Sequence, residues 1–143
     1  MAVDKLEWHA SADDFPITVT RKSGATHIGM FVDWALSRSL MSEQISRFSP
    51  LRARLFRCGI ISGRTFIAWF CDGAFSSGNH LNTEGHDFTE AYYDRYLADY
   101  EAIFAGEYAT IYHVAYSQTN RRAVANLLDD RLAAWQASDR VDK

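Results

Sequence analysis

The stretch Asn82 to Phe104, NTEGHDFTEAYYDRYLADYEAIF, decides the fold. With Tyr96 set at zero on a wheel of 100° per residue, Phe88, Tyr92, Tyr93, Leu97, Tyr100, Ile103 and Phe104 fall between about −80° and +100°. Asp87, Glu90, Asp94 and Glu101 fall between about 120° and 180° on the same wheel. The spacing predicts one long, central helix with an aromatic face turned inward and an acidic face directly opposite. Gly106 ends it. Tyrosine joins an apolar ring to a polar tip, so the row Tyr92, Tyr93, Tyr96 and Tyr100 suits the boundary of a core or a protein interface.

Upstream, Ile28, Phe31, Val32, Ala35 and Leu36 share one arc between Thr26 and Leu40, with Asp33 and Ser37 opposite, which predicts a second amphipathic helix. Ser49-Pro50 reads as a cap followed by a first-turn proline, opening an arginine-rich helix that Gly59 closes. The apolar run from Arg64 to Cys71 is short enough to be helix or buried strand, and Gly73 favours helix. Downstream, Ala109 to Ala115 reads as a strand. A last helix is expected from Gln118 to Ala137, capped by Ser117 or Thr119, with Val124, Leu127, Leu128, Leu132 and Trp135 on its apolar stripe. Residues 1–25 read as irregular or extended, with a short strand over Ile17 to Thr20, and 138–143 as disordered. The fold class that follows is mainly α, with one or two short β-strands, in a single domain over residues 1–143.

The composition fits that reading. The chain has 143 residues, 48% hydrophobic and 23% charged, enough for one core without disulfide staples. No apolar run reaches the ~18 residues of a membrane span. The start, MAVDKLEWHASADDF, carries acids and no apolar stretch, so a cytoplasmic protein is expected. The net charge of −3 is unevenly spread. Residues 38–64 hold six arginines against Glu43, a net of +5, and residues 82–107 hold seven acids against Arg95, a net of −6. Either the two segments neutralise each other or they present charged faces to partners.

Chemical constellations are sparse. His80, Glu84 and His86 invite a metal reading, but two histidines six apart do not share a helix face, and no HExxH or cysteine-histidine pair accompanies them. No nucleophile motif or phosphate loop occurs. The expectation is therefore no catalytic residue, no metal and no cofactor. Arg47, Arg52, Arg54, Arg57 and Arg64, near Phe48 and Phe56, would suit phosphates, but the net charge is negative and no nucleic-acid motif accompanies them.

Gly24 to Trp34, GATHIGMFVDW, preceded by Trp8-His9 and by Asp14-Phe15-Pro16, resembles a family of small bacterial proteins classed as a domain of unknown function. The resemblance continues through Leu81-Asn82, Glu84-Gly85, Phe88, Tyr92-Tyr93 and Tyr112 to the helix ending near Trp135. It implies a solitary cytoplasmic domain similar to the immunity proteins encoded beside polymorphic toxins, and carries no catalytic role. On the wheel, His27 and Trp34 share one flank of the core stripe and Gly29 lies on the other. A glycine there costs the helix up to ~1 kcal/mol against alanine, so another backbone is expected to approach it.

The first expectation for function is a protein-binding module of the immunity type. It would use Asp87, Glu90, Asp94 and Glu101 against a toxin with a basic cleft, without a membrane or nucleic-acid role. The rivals are a small enzyme or ligand-binding protein with a pocket near His27 and Trp34, and a nucleic-acid regulator using the Arg47 to Arg64 segment.

Overall fold

A computed structural model describes residues 2–48 and 50–141. The aromatic helix is present as α7, Thr83–Ile103, in chain order after β1 (Asp4–Lys5), α1 (Leu6–Ala10), α2 (Thr26–Ser37), α3 (Gln44–Phe48), α4 (Pro50–Arg57), α5 (Gly63–Thr65), β2 (Ala74–Phe75) and α6 (Ser77–His80). The last helix, α8, spans Gln118–Val141. Asn82 caps α7, its side-chain oxygen accepting from Gly85 N at 2.9 Å. Phe88, Tyr92, Tyr96 and Tyr100, four apart, form the buried stripe. Ile103, placed on that face by the wheel, is 39% exposed, although Tyr100 and Phe104 on either side of it are buried.

The central element is α2 rather than α7. Nine of its twelve residues are buried, and it packs against α5, α7 and α8. Phe31 is its hub, with ring centroids 5.1–5.7 Å from those of Trp34, Phe75, Tyr93 and Tyr96. The expected backbone approach at Gly29 is present. A Cβ built there would stand 2.5 Å from Cα and N of Arg64, and one built on Gly63 would stand 2.4 Å from Gly29 O. Two glycines let α2 and α5 cross almost backbone on backbone.

The run after α5 is helical and widens into a π-helical turn over Phe66–Phe70. Gly73 closes it at φ +73°, its N–H bonded to Ile67 C=O at 2.8 Å. The chain then enters β2, which pairs antiparallel with β1, Asp4 opposite Phe75 and Lys5 opposite Ala74.

Both strands expected from propensity fall elsewhere. Ile17 to Thr20 is turn and bend with Ile17 fully exposed, so its β-branched side chains have no pleated neighbour to pack on. Ala109 to Ala115 is irregular around a 3-10 turn at Ile111–His113, where Thr110 Oγ1 accepts from Tyr112 N at 3.1 Å. In place of a strand, that turn drives Tyr112 into the interior. At α8, Ser117 is the capping side chain, accepting from Asn120 N at 3.1 Å. The helix continues through residues 138–141, and 142–143 and the expected cap at Ser49 lie outside the described residues.

Candidate functional site

Among the described residues, one group of side chains with metal-ligating chemistry gathers where β1, α1 and α2 meet. β1 carries Asp4, α1 brings His9, and His27 sits in the first turn of α2. Asp4 Oδ1 accepts from His9 Nε2 at 2.7 Å and from Lys5 N at 2.8 Å; Oδ2 lies 3.0 Å from His27 Nε2 and 2.9 Å from the Tyr93 hydroxyl. Burial pushes the Asp4 carboxyl up, but the hydrogen bonds from His27 and His9 overcome it and hold the group below the usual carboxylate range. Burial lowers the His27 imidazole pKa against the pull of Asp4, and it raises Tyr93 well above an ordinary phenol.

The protonation pattern follows. An ionised carboxylate only accepts, so both Nε2 atoms carry hydrogen and Tyr93 donates. With His9 in its neutral form, Nδ1 is left to accept from the Tyr112 hydroxyl 3.0 Å away. The two imidazoles meet edge to face, centroids 4.4 Å apart. His27 is 1% exposed, whereas the His9 side chain keeps 13% of its surface, so solvent reaches the group past His9.

Of the candidate site residues named from the sequence, His27 alone belongs here, while His9, Tyr93 and Tyr112 entered only through the family pattern or the aromatic face. Trp34 donates from Nε1 to Asp129 Oδ1 on α8 at 2.9 Å, whereas His27 meets Asp4 on β1, so the two side chains have different hydrogen-bond partners. Seven residues apart is nearly two full turns, about 10 Å along the axis, which carries the two side chains to different neighbours. Asp4 and His9 were missed because metal and triad motifs are read by spacing, and separations of 5 and 18 residues match no such template. Trp8-His9 in the family pattern was the available signal. His80 instead accepts from Ser76 N at 3.0 Å, while His86 Nδ1 lies 2.9 Å from Ser77 Oγ.

Asp87, Glu90, Asp94 and Glu101 all project to solvent from α7. Glu90 accepts from Ser77 Oγ at 2.7 Å; among the described residues no cation lies within ion-pair distance of Asp87, Asp94 or Glu101. Each charged segment finds countercharge on α8, Arg38 with Asp129 and Asp99 with Arg131. The arginine segment does not form one patch. Arg47, Arg52, Arg54 and Arg57 are exposed, but Arg64 turns in to bond Thr26 Oγ1 at 3.1 Å and to stack 4.5 Å from the Tyr116 centroid.

A second feature lies on the far side of α2. Asp33, expected on the exposed face, accepts from Gly63 N at 2.7 Å and from the Tyr116 hydroxyl, beside a concavity of about 340 Å³ that Leu36, Phe56, Ile60 and Arg121 also line. Burial pushes its carboxyl up to about 6, against Gly63 N–H, Arg121 and Arg64. Between about pH 4 and 6 the folded chain keeps a proton that the unfolded chain has lost, so this group's contribution to stability falls as pH rises through that window. The full shift corresponds to roughly 3 kcal/mol, and partial exposure reduces it to about 2. Asp33→Asn should therefore be about 2 kcal/mol more stable than the parent at pH 7.5 and flatten that slope. Urea unfolding at pH 4.5 and 7.5 checks this, and an unchanged slope in the variant would refute it.

Residues 2–114 match a family described as a domain of unknown function, DUF7832. The chain belongs to that family. Comparison with curated proteins and with solved structures returns no match. The DUF7832 region covers β1 to the turn at Ile111–His113, so Asp4, His9, His27, Tyr93 and Tyr112 all lie within it. All of α8, with the countercharges Asp129 and Arg131, lies beyond it. Among the described residues, no helix of this DUF7832 protein is long and apolar enough to cross a membrane.

Proposed function

We propose that this protein is a binding module of the immunity type, which neutralises a protein partner by covering a basic cleft with the acidic face of α7. One observation carries the reading. Asp87, Asp94 and Glu101 are spaced seven residues apart, so they form a single exposed row along the helix, about 21 Å long, with Glu90 beside it. The opposite side of that helix is locked in the core, so the row is rigid. Like charges on one face cost the isolated helix a few tenths of a kcal/mol per pair, which a basic partner offsets. Their long-range field accelerates encounter, most strongly at low salt. A bacterial nuclease toxin met in the cytoplasm fits that chemistry.

The test combines Asp87→Lys with Asp94→Lys. Both positions are exposed, so folding should change by less than about 1 kcal/mol. Binding to the partner recovered by co-purification from the native host should weaken tenfold or more, which is ~1.4 kcal/mol, with a shallower salt dependence. Unchanged affinity and salt dependence would overturn the reading. A small-ligand function has one observation in its favour, the concavity beside Asp33.

A further inference from the structure

We infer that Asp4, His9 and His27 form a binding site for a divalent first-row transition metal, Zn²⁺ in its chemistry. One donor atom from each residue lies within 4.8 Å of the others. Two imidazole nitrogens and a carboxylate are ligands that Zn²⁺ takes at about 2.0–2.2 Å, which sets tetrahedral donors roughly 3.3 Å apart. His9 Nε2 lies 2.7 Å from Asp4 Oδ1 and His27 Nε2 3.0 Å from Asp4 Oδ2, so these two edges open by a few tenths of an ångström to accept the ion, and the whole donor set already lies within 4.8 Å.

The surroundings meet the further requirements of a metal site. Among the described residues, the ion-pair partners of Asp4 are the two histidines alone, and both are side chains of the kind that ligate Zn²⁺. At His9, the ring that reaches solvent, binding at Nε2 puts the ring hydrogen on Nδ1, which then donates to the Tyr112 oxygen. Outer partners of this kind fix ring orientation in metal sites. Tyr93 stays protonated and keeps Asp4 Oδ2 as its acceptor, which orients the carboxylate. Three protein ligands leave the fourth position to water, reached past the His9 edge. The hard cations Mg²⁺ and Ca²⁺ favour oxygen-rich cages and should not compete.

The site lies apart from the acidic row of α7, so the metal inference and the binding reading fail or stand separately. The experiment uses the full chain without a histidine tag, stripped with EDTA and titrated with Zn²⁺ against a chromophoric chelator. One equivalent should bind with a Kd below about 1 μM. His9 sits at the solvent edge, so His9→Ala should fold and lose at least a hundredfold in affinity. Tyr112→Phe should lose about tenfold through the outer bond. His86→Ala, remote from the site, should bind like the parent, and Co²⁺ should give the visible absorption of a four-coordinate nitrogen and oxygen set. No binding by the folded parent at 100 μM Zn²⁺, or a His9→Ala chain that binds as tightly as the parent, overturns the assignment.

Discussion

Gly29→Ala should lower the melting temperature by roughly 10 °C. A methyl at this position would stand 2.5 Å from Cα and N of Arg64, far inside van der Waals contact, and both atoms belong to backbone that cannot rotate aside. α2 and α5 must separate, which also pulls Gly63 N from Asp33 Oδ1, now 2.7 Å apart. Overpacking of this kind costs about 3–4 kcal/mol, and the better helix propensity of alanine returns at most ~1. A net loss of about 3 kcal/mol corresponds to roughly 10 °C for a chain of this size. Gly78→Ala is the matched control, because a Cβ there meets nothing within 4 Å. Calorimetric melting of both variants decides it: a Gly29→Ala protein that melts with the parent would mean that the two helices do not cross as described.

The second large effect belongs to Tyr96→Ala, with an expected loss of about 3–5 kcal/mol in urea unfolding. The ring is fully buried, with centroids of Phe31 and Tyr93 both 5.2 Å away, and its hydroxyl donates to His27 C=O at 2.7 Å. Tyr96→Phe keeps the packing and removes only that bond, so it should cost about 1 kcal/mol. A Tyr96→Ala change below 1 kcal/mol would mean that the aromatic face is not the core.

These two positions mark how far the sequence carried. Tyr96 was legible because a 21-residue helix repeats its pattern often enough for a wheel to sort faces. Gly29 was legible by a different route, as a local rule broken in mid-helix that only a close neighbour explains. Asp33 was misread because a helix covered on all sides offers no polar face, and a charged residue there must find internal partners. The two β-strands were misplaced because β1 and β2 are two residues each and owe their existence to one another, about 70 residues apart, rather than to composition. The Asp4, His9 and His27 group failed to show for the same reason. Its members come from separate elements, and nothing local in Asp4-Lys5 or Trp8-His9 announces the contact.

That dependence on remote partners has a consequence for the order in which the chain assembles. Asp4 and His9 leave the ribosome before their partners, Asp4 ahead of Phe75 and Tyr93, and His9 ahead of Tyr112, 103 residues later. Closing loops of this length is slow beside helix formation, so α2, α7 and α8 can form while Asp4 and His9 are still unattached. The segment that carries them then seats on helices already made, as a clasp closes. Amide hydrogens of Lys5 and Leu6 should accordingly gain protection last in a pulse-labelled refolding experiment, after those of α2 and α7.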